Sequence, residues 1–305
     1  EAPALMTTDP YPPCQGPDPA PVPPSFALPR GTVDCHAHIF GPVERYPFSP
    51  KRGYTPPEAS LDDYRALHRA LGGIERAVLT QPSVYGTDNS CMMDVLDHVG
   101  DAYRAIVAVE ADVTDRELEA LHERGARGVR VNLADKGGNP FPSMRAVQAF
   151  TERLAPLGWH LEVLVHVDDF DDLRATMNAM AVDVSFGHLG YMRTDRGLDH
   201  PGFQAFLALL RDGKGWAKLT GTYRITTLAR TPYDDVTPFA RALIEANEDR
   251  VVWGTDWPHP TFNGVMPNDG ALLDQLATWA PDPALRQKIL VSNAEQLYGF
   301  EAVGE

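Results

Sequence analysis

Positive charge is scarce in this chain: Lys and Arg total 27 against 42 Asp and Glu, a formal net charge of −15 at pH 7. So acidic a composition argues against the broad basic patches that nucleic acids and anionic membranes require. It leaves room for a small anionic ligand held by a few concentrated arginines. Long apolar runs are missing as well, with no stretch approaching the roughly 18 residues of a membrane-spanning helix. The N-terminus lacks the basic-then-apolar layout of a secretion signal. Cysteine is sparse: Cys14, Cys35 and Cys91 are scattered and odd in number. No disulfide framework is expected, and a reducing cytoplasm is the expected location.

Proline, by contrast, crowds one end. Pro10, Pro12, Pro13, Pro17, Pro19, Pro21, Pro23, Pro24 and Pro29 fall within residues 1–30, a segment that can neither continue a helix nor join a central strand. It reads as an extended arm held by its own barrel or by a neighbouring subunit, the latter making a homo-oligomer. Residues 31–305 carry a single rhythm. Apolar, β-branched runs at 32–36, 77–81, 105–110, 128–132, 161–167, 182–186, 217–220 and 250–253 read as strands. They alternate with amphipathic patterns near 61–71, 91–99, 115–124, 144–155, 170–179, 201–212, 235–247 and 270–279, and a closing helix is expected near 284–297. Thr114 ahead of Asp115-Arg116-Glu117 has the form of a capping box. This alternation, with no dividing linker, predicts an α/β fold: one (β/α)8 TIM barrel.

In that architecture chemistry gathers at the C-terminal ends of the strands. Those ends here carry His36 and His38, Ser83 with Tyr85, Glu110, Arg130 with Asn132, His166, His188, Thr220 and Asp256. The run Val33-Asp34-Cys35-His36-Ala37-His38 spaces two imidazoles so that both project from one face of a strand. Cys35 should point the other way, as buried filler. The last apolar run, Val251-Val252-Trp253, leads into Gly254-Thr255-Asp256. His36, His38, His166 and Asp256 together offer a donor set suited to a divalent metal ion, Zn2+ above others. Such an ion would polarise a carbonyl and acidify a bound water. The same groups without metal would bind an anion and orient a water. His188 reads either as a carbonyl-polarising or proton-shuttling group or as a satisfied core histidine. Asp256 reads as a general base or as a cap for the next segment. Arg130, Lys136, Arg193 and Arg224, on or past strands four, six and seven, suggest a cationic pocket for carboxylates. No role is assigned to His68, His98, His122, His160, His200 or His259, although His259 lies near Asp256 in the chain.

Taken jointly, several segments resemble the amidohydrolase superfamily (amidohydrolase family 2), in its branch of pyrone-dicarboxylate lactonases and sulfomuconolactone hydrolases. They are Asp34-Cys35-His36-Ala37-His38-Ile39-Phe40-Gly41-Pro42, Tyr46-Pro47-Phe48-Ser49-Pro50-Lys51 with Tyr54, and Gly86-Thr87-Asp88-Asn89. Gly128-Val129-Arg130-Val131-Asn132, Gly187-His188-Leu189-Gly190 and Trp253-Gly254-Thr255-Asp256-Trp257-Pro258-His259-Pro260 complete the set. The resemblance implies that His36, His38, His188 and Asp256 are the active-site histidines and general base. It implies that Tyr54, Ser83 and the Thr87 region line the substrate loops, and that Arg130 and Arg224 hold carboxylates; Tyr85, at the same strand end as Ser83, is a further substrate-binding candidate. The chain departs from the pattern at Lys136 and at Tyr191 with Arg193, where relatives carry arginines. It also has Leu164 in place of a strand-five tyrosine, with His166 two residues on, which moves it towards the metal-using relatives. The implied activity is a lactonase opening a small carboxylated, anionic ring of the pyrone-dicarboxylate or muconolactone type. A metal-dependent decarboxylase of an aromatic or muconate-like acid, an isomerase shifting a lactone bond, and a non-catalytic ligand-binding barrel are the alternatives.

Overall fold

Strands buried on both faces need cover on both sides, which a barrel wrapped in helices provides. The computed structural model describes residues 11–134 and 139–304. Strands β1 (Val33–Ala37), β2 (Arg76–Thr80), β3 (Tyr103–Val107), β4 (Ala126–Asn132), β5 (His160–Leu164), β6 (Val184–Phe186), β7 (Gly215–Leu219) and β8 (Val251–Trp253) lie in sequence order in one sheet. Every neighbouring pair is parallel. The ring closes just past the strand ends. Asp256 donates its N–H to the His36 carbonyl at 2.8 Å, and His38 donates its N–H to the Trp257 carbonyl at 2.9 Å.

Helices α1 (Leu61–Ala70), α2 (Ser90–Val99), α3 (Asp115–Glu123), α4 (Met144–Leu154), α5 (Leu173–Asn178), α6 (Pro201–Arg211), α7 (Thr237–Ala246) and α8 (Asp269–Trp279) alternate with the strands. The expected cap at Thr114 is present, with Thr114 and Glu117 bonding reciprocally. The closing helix is broken into α9 (Pro283–Gln287), a π-helical turn (Lys288–Ser292) and α10 (Asn293–Tyr298). Ala294, Leu297 and Tyr298 of α10, with Phe300, plug the N-terminal end of the barrel against Val33, Cys35, Val78, Ile106, Trp216 and Val252.

Two departures from simple alternation shape the site. The β1–β2 register shifts between Asp34 and Ala37. Consequently Cys35 and His36, though adjacent in sequence, both face the interior: Cys35 packs in the basal apolar layer while His36 reaches Lys218 on β7. The expectation that Cys35 points away from His36 fails at this bulge, although Cys35 is the buried filler anticipated. The second departure is β5, which ends at Leu164, so that His166 stands at the start of a short 3-10 turn rather than on the strand face.

The arm, from residue 11 onward, lies on its own barrel. Cys14 donates its N–H to the Thr55 carbonyl at 3.0 Å, and Thr55 donates its N–H to the Pro12 carbonyl at 2.9 Å. Gln15 Nε2 bonds the Phe262 and Gly264 carbonyls, and Ser25 bonds Asp274. Among the described residues no helix is long and apolar enough to cross a membrane.

Asp34, two residues before His36 on β1, ties three elements together. Its buried carboxylate accepts from Tyr64 of α1 at 2.6 Å and from the Thr255 N–H and hydroxyl at 2.8 and 2.7 Å, and it lies 3.0 Å from His68 Nε2. Burial alone would raise its pKa, but these hydrogen bonds outweigh it and hold the carboxyl below its ordinary value. Asp34→Ala strands the surrounding donors without an acceptor. It is expected to lower the unfolding free energy by about 3–5 kcal/mol, as for other broken buried ionic networks, measured by urea denaturation. A loss below about 1 kcal/mol, the net worth of one ordinary hydrogen bond, would refute this role.

Candidate active site

Because closure of the barrel joins the end of β1 to the end of β8, it brings the chemistry of both into one place. Ligand-type atoms of His36, His38 and Asp256, all buried, lie within 4.8 Å of one another. Asp256 adopts a left-handed backbone (φ 59°), a conformation that aspartate tolerates better than most residues. Its Oδ1 faces His36 Nε2 at 3.5 Å. Its Oδ2 is held by the Tyr223 hydroxyl and by Arg224 Nε, the latter at 2.8 Å. Tyr223 in turn lies 2.9 Å from His259 Nδ1, and His259 Nε2 lies 2.8 Å from Asp269 Oδ1 at the start of α8. His38 Nδ1 donates to the Thr80 carbonyl at 2.7 Å, which leaves a lone pair on its Nε2. His188 Nδ1 is 2.9 Å from the Thr220 hydroxyl, and its ring centre is 5.4 Å from that of His36. Below them Lys218, wholly buried, places Nζ 2.9 Å from His36 Nδ1 and 3.0 Å from Glu162 Oε1.

Electrostatics divide these groups by charge. Burial, and then Lys218, push the His36 ring well below the ordinary imidazole range. Burial and then Arg130 lower His38 to about 4, and burial lowers His188 to about 3. For Asp256 burial acts the other way, but Arg224 overrides it and holds the carboxyl well below the usual carboxylate range. Near neutral pH the site is one carboxylate among three uncharged imidazoles. A cavity of about 530 Å³ opens beside it, lined in part by Tyr191, Arg193, Tyr223, Arg224, Thr261 and Phe262.

The remaining expected residues spread over several positions. Arg130 donates to the Gln81 carbonyl at 3.0 Å and acts electrostatically on His38, His188 and Tyr54. Tyr54 is buried and bonds Ser83; burial holds its hydroxyl up at about 12. Tyr85 packs against Phe40 and Phe48 and accepts the Gly41 N–H at 3.2 Å, so it braces the loop after β1. Thr87 donates to Glu110 at 3.0 Å. Arg193 is exposed, 3.5 Å from Asp195, at the rim of the cavity. Lys136 lies outside the described residues. His166 is not part of the metal-type cluster among the described residues: its Nδ1 donates to the Tyr191 carbonyl at 2.8 Å, because β5 stops short of it. Lys218, Glu162, Tyr223 and Asp269 were not singled out by the motifs. The first two had a signal, as charged side chains within largely apolar strands (Gly215–Leu219 and His160–Leu164) are rarely buried without a partner. Tyr223 had none, since its placement depends on the turn after β7.

The donor types and spacing of His36, His38 and Asp256 fit a divalent ion, and His36 Nε2 is a buried atom with no hydrogen-bond partner. His38 is set to ligate through Nε2, because its Nδ1 donates to a backbone carbonyl. His36 can do so only when Lys218 releases its Nδ1.

Acid should destabilise this fold early. His38, His188 and His160 have folded-state pKa values of about 4, 3 and 4, against 6.5 for free imidazole, so the unfolded chain binds more protons between those limits. Their contribution to stability is complete above pH 6.5 and is lost as pH falls towards about 4. Melting temperature recorded against pH should decline across that window; a flat profile there would contradict the neutral, buried assignment.

Comparison with known proteins agrees with the architecture. Residues 33–300 match the family described as Amidohydrolase. The chain is 37% identical over 288 residues to a 2-pyrone-4,6-dicarboxylate hydrolase of Comamonas testosteroni, covering 92% of this chain and 94% of that one. It is 38% identical over 290 residues to a 4-sulfomuconolactone hydrolase of Rhizobium radiobacter, covering 94% and 96%. A solved structure from Agrobacterium tumefaciens, 31% identical, superposes with a TM-score of 0.80 over 92% of this chain and 100% of that one. With the barrel, its strand-end histidines and these matches in agreement over almost its whole length, the chain belongs to the amidohydrolase family.

Proposed function

We propose that this protein hydrolyses a small anionic lactone, opening the ring with an activated water. The observation that carries the reading is Asp256: a buried carboxylate with one oxygen anchored by Tyr223 and Arg224 and the other turned towards the imidazole cluster. The reading is supported by relatives named for hydrolysis of a pyrone dicarboxylate and of a sulfomuconolactone.

Oδ1 of Asp256 takes a proton from water as the water oxygen bonds to the lactone carbonyl carbon. His36 and His188 present ring nitrogens to the carbonyl oxygen and stabilise the negative charge that develops there. The ring C–O bond then breaks, and the proton held by Asp256 passes to the departing oxygen, giving the ring-opened acid. Arg130, Arg193 and Arg224, with Tyr54, Ser83, Tyr85, Thr87 and Lys136, are the proposed substrate-binding groups. Arg224 also engages Asp256 and the Pro260 carbonyl, so it couples recognition of the acidic substituent to placement of the base. A divalent ion, Zn2+ by donor type, would be held by His38 and Asp256, and by His36 only once Lys218 releases its Nδ1, and would supply Lewis-acid polarisation of the carbonyl.

Carboxylated and sulfonated lactones should be screened by loss of ring absorbance and by product mass. A gain of one water supports hydrolysis; an unchanged mass or loss of CO2 overturns it in favour of isomerisation or decarboxylation. Asp256→Asn should lower kcat by about 10²–10⁴-fold, the usual contribution of a general base, with an unchanged circular-dichroism spectrum; full activity would end the assignment. Arg130→Ala should act mainly on KM, because it removes binding remote from the reacting carbon.

A further inference from the structure

The barrel interior directly beneath the imidazole cluster holds an ion pair that the proposed reaction does not use. Lys218 of β7 and Glu162 of β5 are 3.0 Å apart, with side chains 0% and 2% exposed. A buried ionic pair this deep costs desolvation that apolar residues would avoid, so what else it touches is informative. Lys218 Nζ also lies 2.9 Å from His36 Nδ1, and Glu162 Oε1 lies 3.6 Å from the same nitrogen.

We infer that Lys218 sets the tautomer of His36, keeping its Nε2 as a proton donor and thereby withholding that imidazole from a metal ion. An ammonium group has three donors and no acceptor, so at this contact His36 Nδ1 accepts. A neutral imidazole carries a single N–H, which therefore resides on Nε2, the atom facing Asp256 Oδ1 at 3.5 Å. With its lone pair on the inner nitrogen, His36 can donate to a water, a substrate oxygen or the carboxylate, but it cannot ligate through Nε2.

His38, two residues on, is arranged in the opposite sense. Its Nδ1 bonds a carbonyl oxygen, that of Thr80, which is the outer-shell partner that metal-ligating histidines ordinarily have. One His-x-His motif thus presents two tautomers, and the difference is imposed by what stands behind each ring. Charge balance points the same way. Asp256 is already paired with Arg224, and Glu162 with Lys218, so the two carboxylates beside His36 have cationic partners before any ion enters. On this inference the first histidine of the motif acts as a hydrogen-bond donor to the developing oxyanion, and Lys218 is the positioning residue that makes it one.

The test uses the full-length protein stripped with a chelator, then titrated calorimetrically with Zn2+, beside Lys218→Met and the double variant Lys218→Met/Glu162→Gln. The double variant avoids leaving a buried carboxylate unpaired should the single variant fail to fold. Removing the ammonium should tighten Zn2+ binding by about 10- to 100-fold, the range over which outer-shell partners tune metal affinity. Ring 15N spectra of the zinc-free wild type, with the His36 signals assigned by their absence in His36→Asn, should show the Nε2–H form for His36. Wild-type affinity equal to that of the folded variant, or an Nδ1–H form for His36, would overturn the inference. Neither readout involves a lactone, so this result and the test of the proposed activity can fail separately.

Discussion

The site depends on one backbone contact, the donation of the Asp256 N–H to the His36 carbonyl where the last strand meets the first. More than 200 residues separate the two in sequence. Together with the donation of the His38 N–H to the Trp257 carbonyl, the contact closes the barrel and, in the same step, places the carboxylate of the metal-type cluster beside its two imidazoles. Asp34 reinforces the joint from below by bonding both the Thr255 N–H and its hydroxyl. Closure of the fold and assembly of the site are therefore one event rather than a scaffold with a site added.

Around that joint the protein controls charge by choosing partners rather than by exposing groups to water. Asp256 remains ionised in a buried setting because Arg224 lies 2.8 Å away, and the imidazoles remain neutral because burial disfavours their cations. The chain Asp256–Tyr223–His259–Asp269 extends the same economy outward to the first turn of α8. One carboxylate oxygen is held by Tyr223 and Arg224, and the other faces His36. Opposite, Lys218 fills the role that an acceptor has behind His38, and so gives the two histidines different proton positions.

Much of this was legible in the residues. The strand–helix rhythm, the strand-end positions of His36, His38, His188 and Asp256, and the acidic composition with a few arginines all follow from local pattern. Local pattern also misled where a neighbour altered the local geometry. Strict alternation assigned Cys35 to the face opposite His36, but the bulge in β1 turns both inward. Parity also put His166 on the strand-five face with the ligands, but β5 ends at Leu164 and His166 bonds a loop carbonyl instead.

By itself the sequence determined which elements form and which reactive side chains stand at their ends, because periodicity, capping and turn residues act over a few positions. Tertiary structure alone decided which of those side chains meet, which nitrogen of each imidazole carries the proton, and which carboxylate oxygen is left available. Those outcomes depend on contacts within about 3–4 Å between strands far apart in the chain, where hydrogen bonding is directional and no short-range pattern records the partner.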